Sequence, residues 1–186
     1  MKNFPSFLCS IVLLFISCTA KPGENSSGVV SVTNKDSAAV DSTVRAFFKW
    51  YKHDYDVLNA VSLVNMDTTS GYSIDKDGVK HYVWLFGNTG YFTDELIAKM
   101  NTYFSKCDSA LQVEKQKDGP PDGLDADLII CSQEPESDLQ IIDSTRQFRI
   151  TINGNNASCK IVPLNRTLTL SNKIGYWQFT SVGCFQ

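Results

Sequence analysis

Residues 36–61 read DSAAVDSTVRAFFKWYKHDYDVLNAV, and this stretch decides how the rest of the chain can pack. Its large apolar residues are Val40, Val44, Phe47, Phe48, Tyr51, Tyr55 and Leu58, at steps of 4, 3, 1, 3, 4 and 3. Those steps trace one face of a helix; a strand would alternate at every second residue. Arg45, Lys49, Lys52, His53, Asp54 and Asp56 fall between them and suit a wet face. Asp36, or Asp41 with Ser42, can cap the start, because a short side-chain oxygen accepts from the free N–H groups there. A helix with an aromatic stripe needs a broad apolar partner, and the last forty or so residues supply a predicted sheet.

The chain has 186 residues, 42% of them hydrophobic and 20% charged, which predicts one globular domain with a sizeable core. A net charge of −3 leaves no basic stripe for nucleic-acid phosphates or anionic lipid headgroups.

The N-terminus reads as an address. Lys2 precedes an apolar run over 7–16, too short to span a bilayer but long enough for a signal-peptide core. The run ends in Phe15-Ile16-Ser17-Cys18, which resembles the lipobox of bacterial lipoproteins, with Phe15 where leucine is usual. That resemblance implies cleavage after residue 17 and acyl chains such as palmitate on Cys18, enough for stable anchoring. The implied location is the cell envelope, on the outer membrane of a Gram-negative cell. Residues 18–35 are small and polar, are interrupted by Pro22, Gly23 and Gly28, and read as a flexible tether. Residues 36–186 form the predicted domain.

In the middle, 63–67 and 72–74 are expected as short extended pieces, and 75–78 (DKDG) as a turn. Val79, Tyr82, Val83 and Phe86 lie at helical spacing, and Gly87-Asn88-Thr89-Gly90 stops that helix. Thr93 is placed to cap a second strong helix, with Asp94 and Glu95 in its first turn. Its stripe is Leu96, Ile97, Met100, Tyr103, Phe104, Cys107 and Leu111. Residues 119–123 (GPPDG) exclude regular structure.

The last third is predicted to be β. Residues 126–132 (ADLIICS) form a short apolar run read as a buried strand. Residues 147–152 alternate, 153–156 (NGNN) is a hairpin turn, and 157–162 returns with Ala157, Cys159 and Ile161 on one face. A second hairpin joins 167–170 to 176–182. The expected architecture is α+β, with N-terminal helices packed on a curved, mainly antiparallel sheet.

This order of elements, ending in Gly175-Tyr176-Trp177-Gln178-Phe179, resembles the cone fold of nuclear-transport-factor-like and ketosteroid-isomerase-like proteins. Three stretches also resemble a domain family of unknown function in bacterial envelope lipoproteins: residues 44–51 (VRAFFKWY), 90–93 (GYFT) and 125–133 (DADLIICSQ). The resemblance implies a fold. It implies no reaction.

No catalytic motif stands out: there is no G-x-S-x-G, no P-loop and no G-x-G-x-x-G. His53 reads as a solvated helix residue, and His81 has no histidine or acidic partner at ligand spacing. An isomerase-type site would need a carboxylate with a tyrosine on a pocket wall, and Asp127 with Tyr55 are the residues that could supply it. Trp50, Tyr55, Tyr91, Asp127 and Trp177 are therefore the candidate pocket set. Asp118, Asp122, Asp125, Asp127, Glu134, Glu136 and Asp138 suggest calcium by composition, but their spacing does not fit an EF-hand and reads as a solvated loop. No metal, cofactor or catalytic residue is assigned.

Cys107, Cys131, Cys159 and Cys184 remain after Cys9 and Cys18 are set aside. Four cysteines allow three connectivities; the simplest pairs Cys107 with Cys131 and Cys159 with Cys184, against four buried thiols. Repeated Asp-Ser/Thr steps, with Ser42 and Thr68 the best placed, resemble an O-glycosylation sequon of bacterial envelope proteins; they also suit caps and turns. The functional expectation is a non-catalytic binding or accessory module for another envelope component. The alternative is a small-molecule binding protein or enzyme using the cone's concave pocket.

Overall fold

The computed structural model describes residues 34–173 and 175–185. The expected signal sequence over 1–17, Cys18 and the expected tether up to residue 33 lie outside them. Helix α1 (Asn34–His53) begins inside the expected tether, and Val40, Val44, Phe47, Phe48 and Tyr51 are buried as the stripe requires. The single helix expected over 36–61 is instead two. Asp54 (φ −95°, ψ 8°) interrupts it, and α2 (Tyr55–Asn59) follows. Asp54 and Asp56 would place negative charge at the negative end of the helix dipole, which favours a break there. The break leaves Leu58 buried but Tyr55 only half-buried.

Strands β1 (Val64–Asn65) and β2 (Ser73–Ile74) fall within the two expected extended pieces and pair antiparallel with each other. Helix α3 (Lys76–Gly87) starts within the expected 75–78 turn, because the Asp75 carboxylate caps it by accepting from the N–H groups of Asp77 (3.1 Å) and Gly78 (3.0 Å). Helix α4 (Asp94–Glu114) is capped by Thr93, whose hydroxyl accepts from Leu96 N–H at 3.2 Å. Leu96, Met100, Phe104, Cys107 and Leu111 of its stripe are buried.

Helix α5 (Pro135–Ser144) was not anticipated. Pro135 sits in its first turn, where the missing N–H costs nothing, and Glu136 and Asp138 complement the positive end of its dipole. The carboxylates at 136 and 138 therefore belong to a helix start and not to an acidic loop.

Strands β3 (Phe148–Asn153), β4 (Asn156–Ile161), β5 (Arg166–Asn172) and β6 (Trp177–Ser181) form an antiparallel meander in that order. Two residues, Gly154 and Asn155, connect β3 to β4, with Gly154 at φ 58° as a tight hairpin turn demands. A bulge falls where Thr169 pairs with Ser181 but Leu170 pairs with Phe179. The sheet is antiparallel but not strongly curled, so the expected curvature is met only in part.

One sheet face carries Ile152, Ala157, Cys159, Ile161, Leu168, Leu170, Trp177 and Phe179, all buried, and α1 lies against it. The opposite face is polar, with the Thr169 and Thr180 hydroxyls 2.9 Å apart across the bulge. The segment before α4 extends the sheet edge: Phe179 N–H donates to Tyr91 C=O (2.7 Å) and Thr93 N–H to Phe179 C=O (3.1 Å). Among the described residues no helix is long and apolar enough to cross a membrane.

Candidate functional site

The expected strand over 126–132 does not form. Leu128, Ile129 and Ile130 are all buried, but in a tight loop closed by two backbone bonds between Asp127 and Ser132 (2.8 and 3.3 Å). The reason is the Asp127 carboxylate. One oxygen, Oδ1, accepts from the N–H groups of Ile129 (3.0 Å) and Ile130 (2.6 Å), which a strand would need for its ladder. The other, Oδ2, accepts from the Tyr51 hydroxyl at 2.6 Å. One side chain thus folds the loop and fastens it to α1.

A second fastening is covalent. Cys131, at φ 56°, is bonded to Cys184, with a Cα–Cα distance of 5.2 Å. Neither of the expected pairs forms, and Cys107 and Cys159 are free buried thiols. Cys107 is buried on α4 and Cys159 on the inner face of the sheet, and their expected partners, Cys131 and Cys184, are bonded to each other. Cys184 N–H donates to Leu128 C=O (2.9 Å). Gly183 lets the two segments approach: a Cβ there would sit 2.1 Å from the Leu128 carbonyl oxygen.

Around Asp127 the break after α1 turns Tyr55 toward the loop, and α3 brings Tyr82. Together they border a cavity of about 280 Å³, whose wall also includes Asn59, Asp125 and Gln133. Burial pushes the Asp127 carboxyl up from the usual range, against the hydrogen bonds from Tyr51, Ile130 and Ile129; the nearby Asp138 adds to the rise. Burial also pushes the Tyr51 and Tyr82 phenols well up, reinforced by the Asp127 charge and by neighbouring tyrosines, so both keep their protons at neutral pH. Tyr55 moves the same way, chiefly by burial, opposed by its bond with Asn59.

This arrangement sets a partly buried carboxyl group beside protonated phenols. Its chemistry is better suited to holding a ligand than to moving a proton. Both Asp127 oxygens already accept hydrogen bonds, so a proton taken from a substrate would disrupt the bonds that shape the loop.

The structure brings together two of the five candidate pocket residues, Tyr55 and Asp127. Of the other three, Trp50 and Tyr91 belong to an aromatic layer around Phe47, and Trp177 does not line the cavity. Phe47 packs against Phe179 (ring centroids 4.8 Å apart), Phe92 (5.4 Å) and Tyr91 (5.6 Å). Trp50 meets Phe86 edge-on at 5.6 Å, and Trp177 is buried on β6. By spacing alone, Tyr51 and Tyr82 fall among core residues. The available signal was that each is a tyrosine where an apolar stripe would accept phenylalanine, so its hydroxyl calls for a polar neighbour.

The remaining sequence candidates disperse. His53 is exposed beside Asp54 (3.9 Å), and His81 stacks on Trp84 at 5.9 Å. Asp118 and Asp122 are exposed, while Asp125 accepts from Gln133 at 3.1 Å. Among the described residues, no group of three His, Cys, Asp or Glu side chains converges to hold a metal ion. Ser42 and Thr68 are both exposed, Ser42 on α1 and Thr68 in the turn ordered by Asp67. No family model matches this chain, and no curated protein or solved structure matches it either.

Proposed function

We propose that this chain is a lipid-anchored protein of the bacterial cell envelope whose domain is a non-catalytic binding or accessory module for another envelope component. In this reading residues 1–17 are the signal peptide, Cys18 carries the acyl chains, and the tether holds the domain off the outer membrane. The signal pattern, the lipobox resemblance and the resemblance to envelope lipoproteins support it. The finer fold assignment, a nuclear-transport-factor-like cone, is supported by a long first helix laid across an antiparallel meander.

The observation that carries the accessory role is the filled interior. Where a cone-shaped enzyme holds its substrate, Phe47, Trp50, Tyr91 and Phe179 pack on one another, so recognition falls to the outer surface. Crosslinking in intact cells, followed by mass spectrometry of the native lipoprotein, tests this. A single stoichiometric envelope protein is the expected product; no reproducible adduct would contradict the accessory role. Cys18→Ser should move the protein out of the detergent phase on partitioning, and a variant that still partitions with lipid would contradict the anchor.

A second reading, small-molecule binding, is favoured by one specific feature: the cavity between Tyr55, Tyr82 and Asp127, at the edge of the aromatic layer.

A further inference from the structure

We propose that the cavity bordered by Tyr55, Tyr82 and Asp127 binds a small primary ammonium compound. This deepens the small-molecule reading and depends neither on membrane anchoring nor on an envelope partner.

The first argument is charge. Asp125 and Asp127 are in the wall, and among the described residues no Lys, Arg or His lines the cavity. The other charges that act on its members, Asp56, Glu136 and Asp138, are also negative. A partly buried carboxylate surrounded by like charge and lacking a cation favours a ligand that brings one.

The second argument is an unmet polar group. Tyr82 is 5% exposed and lines the cavity. Its hydroxyl has no hydrogen-bond partner among the described residues, although the charge of Asp127 and the Tyr55 phenol both act on it. The Tyr82 ring is buried, and its oxygen is left open on the cavity side, where a ligand donor can meet it.

The third argument is the match of donors to acceptors. The wall offers oxygen acceptors on Asp127, Tyr82, Asn59 and Gln133. A primary ammonium has three N–H donors and no acceptor, and can satisfy several of these oxygens at once. A quaternary ammonium supplies the charge but no N–H. A volume of about 280 Å³ lies at the small end for ligand pockets and restricts the ligand to a compact amine.

The test uses the full chain purified in detergent, titrated with ethanolamine and with putrescine and followed by NMR and calorimetry. Tetramethylammonium serves as the control for charge without N–H groups, and ethylene glycol as the control for size without charge. Saturable binding of at least one primary amine is expected, with shifts confined to residues around Tyr55, Asn59 and Tyr82, and neither control should compete. Tyr82→Phe removes one oxygen and keeps the ring, and should weaken the amine by about tenfold, the loss of one hydrogen bond to a charged group. Asp127→Asn should weaken it further. Because that variant also alters the loop, Tyr82→Phe is the deciding one. Equal binding of tetramethylammonium or ethylene glycol would overturn the ammonium assignment while leaving a small-molecule site. Absence of saturable amine binding at millimolar concentration, or a Tyr82→Phe variant with unchanged affinity, would overturn the site itself.

Discussion

The sheet with α1 and the segment from 116 to 133 are held by different means. In the first, period decides everything. Residues at helical spacing on α1 meet residues at alternate positions on β3 to β6, and each buried side chain is one of many. In the second, there is almost no repeating structure, and single side chains substitute for a ladder. Gln116 donates to the carbonyls of Asp118 (3.0 Å) and Pro120 (2.7 Å) and accepts from Asp122 N–H (3.0 Å). The Tyr103 hydroxyl donates to Gly123 C=O (2.5 Å), Asp127 caps the next turn, and Cys131 is tied to Cys184. Loss of one residue should be felt throughout the first region and locally in the second. The cavity lies against the second, where a polar group can be positioned without being buried in a layer of rings.

The largest effect is expected at the centre of the periodic region. Phe47→Ala should destabilise the fold by about 3–5 kcal/mol, read by chemical denaturation, because the ring touches Phe48, Tyr51, Phe92 and Phe179. A loss below about 1 kcal/mol would mean that the aromatic layer is not the core.

Replacing both Cys131 and Cys184 by alanine should cost up to about 4 kcal/mol, since the bridge closes a separation of 53 residues. The same change should open the 127–132 loop before the sheet melts. Coincident loss of both would erase the contrast between the regions.

Tyr51→Phe should cost about 1–3 kcal/mol, because it leaves a partly buried carboxylate oxygen of Asp127 without its donor while the ring still packs. An effect near zero would show that the loop does not need its tie to α1.

Asp127 itself gives a signed pH dependence. Burial raises its folded-state carboxyl above the unfolded value of about 3.9. The folded form therefore holds its proton more tightly, so this contribution to stability is fully present below the unfolded value and is lost as pH rises through the folded one. Asp143 and Glu95 act in the opposite sense: Lys52 and Lys173 hold their carboxyls down, so their small contributions are lost as pH falls. Asp127→Asn should abolish the decline on the rising side only, as seen in denaturation midpoints across pH. Thr167→Ala, on the exposed sheet face, should change stability by less than about 0.5 kcal/mol.

What the sequence made legible follows the same division. The stripe of α1, the Thr93 cap, the two hairpins and the buried face of β4 all come from spacing, and spacing survives in one dimension. The run ADLIICS was misleading because three consecutive apolar residues fit a buried strand as well as a buried loop. What separates them is where the Asp127 carboxylate bonds, and its outer partner, Tyr51, is 76 residues away. Helix α5 was missed because its apolar residues, Leu139, Ile141 and Ile142, are few and its acids were read with the preceding loop. Half of the site was legible as residue types, Asp127 with Tyr55. Tyr51 and Tyr82 were hidden inside stripes that read as core, and the Cys131–Cys184 bridge links segments with no pattern between them.

Native-state amide hydrogen exchange, with and without reductant, tests the contrast most directly. In the oxidised protein the Ile129 and Ile130 amides should be protected by Asp127, and on reduction they should exchange faster while the β4 and β5 amides keep their protection. Free exchange at Ile129 and Ile130 in the oxidised protein, or loss of protection in loop and sheet together on reduction, would contradict it.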